Sequence, residues 1–546
     1  MTDRFRGELV DCLTKVAPWD APPALNTPLM GVAGQRVCFQ VAWLDTSPGL
    51  DDTHLKLEVA SDASVDVSQV RLVPVQIPSF TPDSAANIAD QAGLYPDLLE
   101  LLSPTDSDGR CYDIVRQHTG WHSIWIRVGL PATSVRVRLS DPSREKNIID
   151  AELPITTVGG CLPETTATIT TWFHCDSLAH VYQTDVWGEK HWRVIEQFLE
   201  AARYTGFNSV MMPLWTPPVD TAPCHYRTPT QLLEITRTGD GHYQFGTRRA
   251  DRWIDLMRRM GYSSVEVPHL FTQWGAKFAP QFWVDCGSGP EPMFGWGTNA
   301  QDREYRFFLT ELVPFVRKFL DDAFGTDHVF FHISDEPNQS THESYELAEK
   351  LVRSLLEGSH ILDAVSDPLF ASAVETPVVA TNAVRAFRQS GVTPTWVYYC
   401  VAQDRRVANR FIAQRGIRHR MIGWHMYKFQ VKGFLHWALN FYNAALSVRP
   451  IHPFIDTSAG GSLISGDAFI LYPGAHGEPL GSLRSEMLRD AFEDLALCEL
   501  AERHIGRKRV LDIIDPDGSI DFDAGWPSAS EYLERRATLL RALLHA

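Results

Sequence analysis

The sequence predicts a multidomain α/β protein: an N-terminal antiparallel β-sandwich, then a (β/α)8 TIM barrel, then a short helical C-terminal tail. Three observations predict it. Strands with period-two alternation and no helix between them fill the first ~160 residues, strand-like and helix-like runs then alternate, and eight such strands precede a long final helix. A length of 546 residues also exceeds what one compact core accommodates. The predicted domains are 1–164, 165–504 and 505–546.

In the first domain Val37, Phe39 and Val41 alternate with their neighbours, as do Leu55, Leu57 and Val59, then Ile124, Ile126 and Val128, then Val135, Val137 and Leu139. Each set is the pattern of a half-buried strand. The segment from Ser84 to Leu102 reads as a helical excursion.

The barrel opens with a strand at Thr166 to Trp172. Trp192, Ile195, Phe198, Leu199 and Ala202 form a helical stripe that Gly206 can end, before a strand at Ser209 to Met212. Helices near Ala250 to Met260 and Arg303 to Phe324 each end at a glycine and lead into strands at Ser264 to Val267 and Val329 to Ile333. Further strands are predicted at Phe370 to Val374, Thr395 to Tyr399, Arg420 to Gly423 and Gly433 to Trp437, with the last barrel helix at Leu483 to His504 and a tail helix at Tyr532 to Leu544. Eight strands suit a closed barrel; a doubly wound sheet needs fewer.

Composition narrows the function classes. With 44% hydrophobic and 21% charged residues the chain is of globular type. A net charge of −17, with no basic stretch to offset it, repels a phosphate backbone and argues against a nucleic-acid partner. The first twenty residues mix both charge signs without a signal-peptide apolar core, and no stretch reaches the ~18 uncharged apolar residues of a membrane span. The expectation is therefore a cytoplasmic protein with no membrane partner. Nine cysteines stand singly with no C-x-x-C pair, which fits a reducing compartment and offers no zinc or redox site. No cofactor and no metal are predicted, and no feature sets an oligomeric state.

Barrel chemistry sits at the C-terminal ends of the strands. The outstanding segment is Val329-Phe330-Phe331-His332-Ile333-Ser334-Asp335-Glu336-Pro337, a buried strand running into two carboxylates. Asp335 and Glu336 are the predicted catalytic residues. Other acidic pairs, Asp51-Asp52, Asp321-Asp322 and Glu493-Asp494, read as solvated surface.

Neighbouring carboxyls do not flank a glycosidic bond symmetrically, but they can divide the labour of a substrate-assisted reaction. Glu336 would act as general acid, and Asp335, ionised, would hold a 2-acetamido group that attacks the anomeric carbon.

Predicted substrate-binding residues also lie at strand ends: His174 and Asp176 after the first, His269, Gln273 and Trp274 after the third, and His332 on the fourth. Tyr398, favoured over Tyr399 by strand alternation, would bind the acetamide oxygen. Trp424 and Trp437 would stack on a sugar face, with Asn440 as a nearby hydroxyl partner, and Tyr472 in the segment GDAFILYPG is a further candidate. Arg484 and Glu486 read as a pair across the start of the last helix.

HISDEP at 332–337, HLFTQWGA at 269–276, PLWTPPVDT at 213–221, GFLHWALNFY at 433–442, and GDAFILYPG with GSLRSEMLRDAFEDL within 466–495 together resemble glycoside hydrolase family 123. The resemblance implies an exo-acting, retaining β-N-acetylgalactosaminidase that works by substrate assistance, with the Asp-Glu pair at Asp335 and Glu336. Its substrate would be a small molecule or oligosaccharide ending in an N-acetylhexosamine. Galacto over gluco configuration comes from the resemblance alone.

Two alternatives stay open on the residues. A metal-dependent hydrolase could use His174, Asp176, His269, His332 and Asp335, though no H-x-H or H-E-x-x-H pair occurs. A carbohydrate-binding protein without turnover would keep the aromatic pocket, but the intact acid pair speaks against it.

Overall fold

The computed structural model describes residues 5–46, 54–523 and 525–545. Asp51-Asp52 lies outside them. Two compact units make up the chain: Met1–Thr166 with Ala408–Phe429 and Leu480–Ala546, and Ala167–Val407 with Gln430–Pro479.

In the first unit the alternating runs form two five-stranded sheets. One has the order Phe5–Asp11, Arg36–Asp45, Gly120–Gly129, Val65–Val75, Gly93–Leu101; the other runs Leu29–Ala33, Lys146–Cys161, Ser134–Asp141, His54–Ser61, Cys111–Val115. Pairing is antiparallel throughout except between Leu29–Ala33 and Lys146–Cys161. Phe39, Val41, Leu57, Ile126, Val137 and Leu139 meet in one core drawn from both sheets, as the alternation requires. Ser84 to Leu102 is not a helix. Its second half is the strand Gly93–Leu101, which pairs with Val65–Val75, and ladder pairing overrides the local helical appearance.

Two helices of this unit, Gly416–Phe429 and Leu483–Ile505, come from the far end of the sequence. They approach closely at Gly423, where a Cβ would lie 1.9 Å from the Ala491 carbonyl oxygen. The strand expected at Arg420 to Gly423 is therefore helix. Residues 416–427 are all buried, so no polar stripe marked the helical period. Arg420 donates to Asp490 and Asp494, each at 2.7 Å. Asp494 also accepts from Tyr532 and Arg536, each at 2.6 Å, so the Glu493-Asp494 pair is not solvated surface as expected. Arg484 and Glu486, expected as a pair, each have a partner on the sheets. They pair with Asp97 at 2.8 Å and Arg127 at 2.6 Å.

The second unit contains a closed parallel barrel of eight strands: Thr168–Trp172, Ser209–Met211, Ser264–Glu266, Val329–Phe331, His360–Val365, Thr376–Ala380, Trp396–Tyr398 and Gly433–His436. The last pairs with the first and closes the ring. Helices Glu189–Thr205, Arg248–Arg259, Arg303–Phe324, His342–Arg353 and Val384–Gln389 lie between successive strands in sequence. The first of them turns its buried stripe, including Trp192, Phe198 and Leu199, inward and ends at Gly206, whose φ of 104° suits a glycine C-cap. Asp302 caps the third by accepting from the Glu304 and Tyr305 amides.

The strand expected at Phe370 to Val374 is absent from the barrel. Asp367 accepts from the Leu369 amide and Pro368 opens a 3-10 turn at Pro368–Phe370, so Phe370 is buried without being part of an extended strand. Strands five and six lie on either side of it. Among the described residues no helix is long and apolar enough to cross a membrane.

Candidate active site

Strand four is buried along its length, and the chain leaves it through His332, Ile333 and Ser334, also buried, to reach Asp335 and Glu336. Successive residues of extended chain face opposite sides. Glu336, at φ 41°, breaks that alternation, and both carboxyls line one cavity of about 280 Å³. Trp172, Asp220, Trp274, Tyr398, Trp437 and Asp467 line it with them, from the ends of five other strands. Asp220, Trp274 and Leu446 on its wall also hold left-handed backbone, at φ 41°, 60° and 60°. Such strain in non-glycine residues costs on the order of 1–3 kcal/mol each and gathers where a site must be held in shape.

Hydrogen bonds fix the wall. Tyr398 donates its hydroxyl to Glu336 Oε1 at 2.5 Å, and the Cys400 thiol lies 3.9 Å from the same oxygen. The Trp274 amide donates to the Asp335 carbonyl at 2.7 Å. Gln273 clasps Thr221, accepting its amide at 3.3 Å and donating to its carbonyl at 2.9 Å, and so ties the loops after strands two and three. The indole N–H of Trp437 goes to Asp467 at 3.1 Å and that of Trp172 to Glu266 at 3.0 Å, leaving two rings as apolar walls.

The site favours retained protons. Burial pushes Asp335 well above the usual carboxylate range, and the charges of Glu336, Asp363 and Asp220 add to it against His332. Burial also raises Glu336, while Tyr398 and Cys400 pull the other way. Two adjoining acids in one cavity titrate as a pair, and burial favours the state that retains a proton. Asp220, buried in the same wall, is pushed up to about 6 although the Leu446 amide donates to it at 3.0 Å.

Beneath the pair lies a buried ionic layer. His332 Nε2 is 2.6 Å from Glu266, and its Nδ1 is 3.7 Å from Asp363. Burial would strip the proton from this imidazole, but Asp363 and Glu266 outweigh it and hold its pKa at about 9. Glu266 also accepts from the Thr170 hydroxyl. His269 lies tilted against His332 with ring centroids 4.7 Å apart and stays neutral, its pKa driven well down by burial and by His332. Among the described residues His269, His332 and Asp363 are the one group whose possible metal-ligand atoms lie within 4.8 Å of one another. His332 and Asp363 are already committed to each other and to Glu266 and Tyr345.

The catalytic-domain model of glycoside hydrolase 123 matches residues 172–501, more than half of the chain and all of the strand ends just described. The chain belongs to glycoside hydrolase family 123. This family 123 chain is similar in structure to a family 123 glycoside hydrolase from Clostridium perfringens studied for glycolipid glycan hydrolysis, at 13% identity and a TM-score of 0.70, with 99% of this chain and 97% of that one covered. A family 39 glycoside hydrolase from Bacteroides cellulosilyticus shares 9% identity at a TM-score of 0.34, over 86% of this chain and 82% of the other. No curated protein sequence matches.

In this glycoside hydrolase the cavity gathers Asp335, Glu336, Gln273, Trp274, Tyr398 and Trp437 of the predicted residues. Others lie elsewhere. Trp424 is not at a strand end; it sits in the helix Gly416–Phe429 of the first unit, stacked on Tyr532 at 3.8 Å. His174 and Asp176 are buried behind the wall. Arg227 bridges them, donating to Asp176 at 2.5 and 2.9 Å and to His174 Nδ1 at 2.9 Å. Asn440 spends its amide on the His174 backbone, at 3.0 and 3.2 Å. Tyr472 packs against Phe454 and Phe469 with centroids 5.5 and 5.2 Å away. His269 and His332 belong to the layer below. Asp220, Asp467 and Cys400 were missed. Asp220 lies inside the PLWTPPVDT motif, and an acid in so apolar a loop is the signal that could have found it.

Proposed function

We propose that this family 123 glycoside hydrolase is exo-acting and retaining, and releases a terminal β-linked N-acetylgalactosamine by substrate assistance. The observation that carries the reading is the placement of two sequence-adjacent acids, brought to the same face by the left-handed turn at Glu336, in one cavity sized for a single sugar ring. The pair starts with one proton. An acetamide N–H donated to Asp335 favours the ionised form of that carboxyl and leaves the proton on Glu336.

Glu336 then gives its proton to the glycosidic oxygen as the C1–O bond breaks, and the acetamide oxygen closes on C1 to form an oxazolinium ion. Asp335 balances the positive charge. A protonated Glu336 no longer needs the Tyr398 hydroxyl, which is released to orient the acetamide oxygen. Water, deprotonated by Glu336, opens the ring from the face that the aglycone left, giving net retention.

Asp220 supports a second reading, because a further carboxyl on the same wall could serve as a conventional nucleophile or base. A panel of nitrophenyl glycosides separates the two. Substrate assistance predicts turnover of N-acetyl-β-galactosaminide and, more slowly, N-acetyl-β-glucosaminide, with plain β-hexosides lower by on the order of a hundredfold or more. Comparable rates on plain hexosides favour the conventional route and remove substrate assistance.

A further inference from the structure

Asp363 touches neither the cavity wall nor solvent, yet four groups converge on it. Its Oδ1 accepts from the Ile333 amide at 2.9 Å and the Ser334 amide at 3.3 Å, the two peptides immediately before Asp335. Its Oδ2 accepts from the Tyr345 hydroxyl at 2.6 Å, and His332 Nδ1 lies 3.7 Å from Oδ1. Ser334 is pinned a second time, its hydroxyl donating to the Thr272 carbonyl at 2.8 Å. A carboxylate buried in the middle of an apolar strand, His-Ile-Leu-Asp-Ala-Val, is costly and persists only when its neighbours satisfy it.

We infer that Asp363 is a positioning residue, which clamps the backbone leading into Asp335 and Glu336 and, with the Glu266–His332 ion pair, sets the net charge beneath them. The inference rests on the proposed reading of Asp335 and Glu336 as acetamide acceptor and acid. Burial raises the Asp363 carboxyl, and the hydrogen bonds from His332, Tyr345 and the Ile333 amide, with the charge of His332, draw it back down; an ionised Asp363 adds negative charge beneath the pair. That favours keeping the shared proton.

The groups that face the pair can be named. Asp335 meets Glu336 beside it, Asp363 from strand five, His332 from its own strand and Asp220 from the loop after strand two. Glu336 meets Tyr398 and Cys400 from strand seven. His332 meets Glu266, Asp363 and His269. Asp363→Asn keeps the shape of the side chain and takes that negative charge away. The pair then releases its proton at lower pH.

The test is the pH dependence of kcat/KM on nitrophenyl N-acetyl-β-galactosaminide for wild type and Asp363→Asn. The alkaline limb of the variant is expected to move down by roughly one pH unit, with the optimum rate about tenfold lower. A purely structural role predicts a lower rate and an unmoved limb, and an unmoved or upward-moving limb overturns the inference. An infrared titration of the protonated carboxyl band, assigned by its loss in Asp335→Asn, needs no turnover. If the enzyme hydrolyses no acetamido sugar, the proposed function fails while the band still decides the inference: a lower midpoint in Asp363→Asn supports it and an unchanged midpoint ends it. Should Asp363→Asn not fold, Glu266→Gln removes one charge from the same layer and must shift both readouts in the same direction, by less.

Discussion

Glu336→Gln lowers kcat on an N-acetyl-β-galactosaminide with a poor leaving group by a hundredfold or more, and by clearly less on one whose leaving group needs no proton. General acid catalysis contributes on the order of 10²–10⁴ when the departing oxygen is basic and little when it is not. Glutamine fills the same space and can still accept the Tyr398 hydroxyl that now donates to Oε1 at 2.5 Å. What it lacks is the proton. Steady-state kinetics on a series of aryl glycosides of graded leaving-group basicity reads the effect: the steepened dependence identifies the acid, and a uniform loss across the series would reassign Glu336 to binding.

Asp335→Asn is expected to cost a similar factor, for a different reason. Its carboxylate is the negative charge placed where the oxazolinium ion forms, and removing one such preorganised group typically costs about 10²–10³ in kcat. Here the loss is the same for good and poor leaving groups, because ring closure rather than protonation is impaired. The pH profile carries a second signature. Adjacent carboxylates repel each other's charge, so with a neutral residue at 335 the acid at Glu336 ionises more readily and the limb on which activity disappears moves to lower pH. A profile that keeps the wild-type limb would show that the two carboxyls do not act as a pair.

Much of this architecture is legible without coordinates. Alternation at Val37, Phe39 and Val41 and its three companion runs marks the sheets, because these residues all face the core that the two sheets share, and in His54–Ser61 and Ser134–Asp141 the residues between them are partly exposed. Strand four and its acids stand out for the opposite reason, an apolar run buried on both faces that ends in charge. Where every side is buried the period vanishes. Arg420 to Gly423 then reads as a strand, with Trp424 at its end, although all of it belongs to a helix. Strands five and six were missed in favour of one strand at Phe370 to Val374, where Asp367 and Pro368 instead turn the chain.

The site divides in the same way. Residues that emerge from a strand into the cavity, such as Glu336 and Trp437, follow from position along the chain. His174 and Asp176 fit the same rule and are nonetheless taken out of the cavity by Arg227, fifty-one residues beyond Asp176, whose approach no local pattern announces. Glu266 falls within the strand expected at Ser264 to Val267, whereas the strand that carries Asp363, His360–Val365, was not expected. Their significance depends on both facing His332, which only the closed barrel brings about.

The nucleophile itself can be tested with a series of substrates in which the acetamido methyl carries none, one, two or three fluorines. Each fluorine withdraws electrons from the carbonyl oxygen and leaves the rest of the sugar in place. If that oxygen attacks C1 in the cavity of Asp335 and Glu336, log kcat/KM falls steeply and monotonically along the series. A flat series, with the trifluoro substrate hydrolysed about as fast as the parent, would mean that the acetamide is a bystander and that a protein carboxyl does its work.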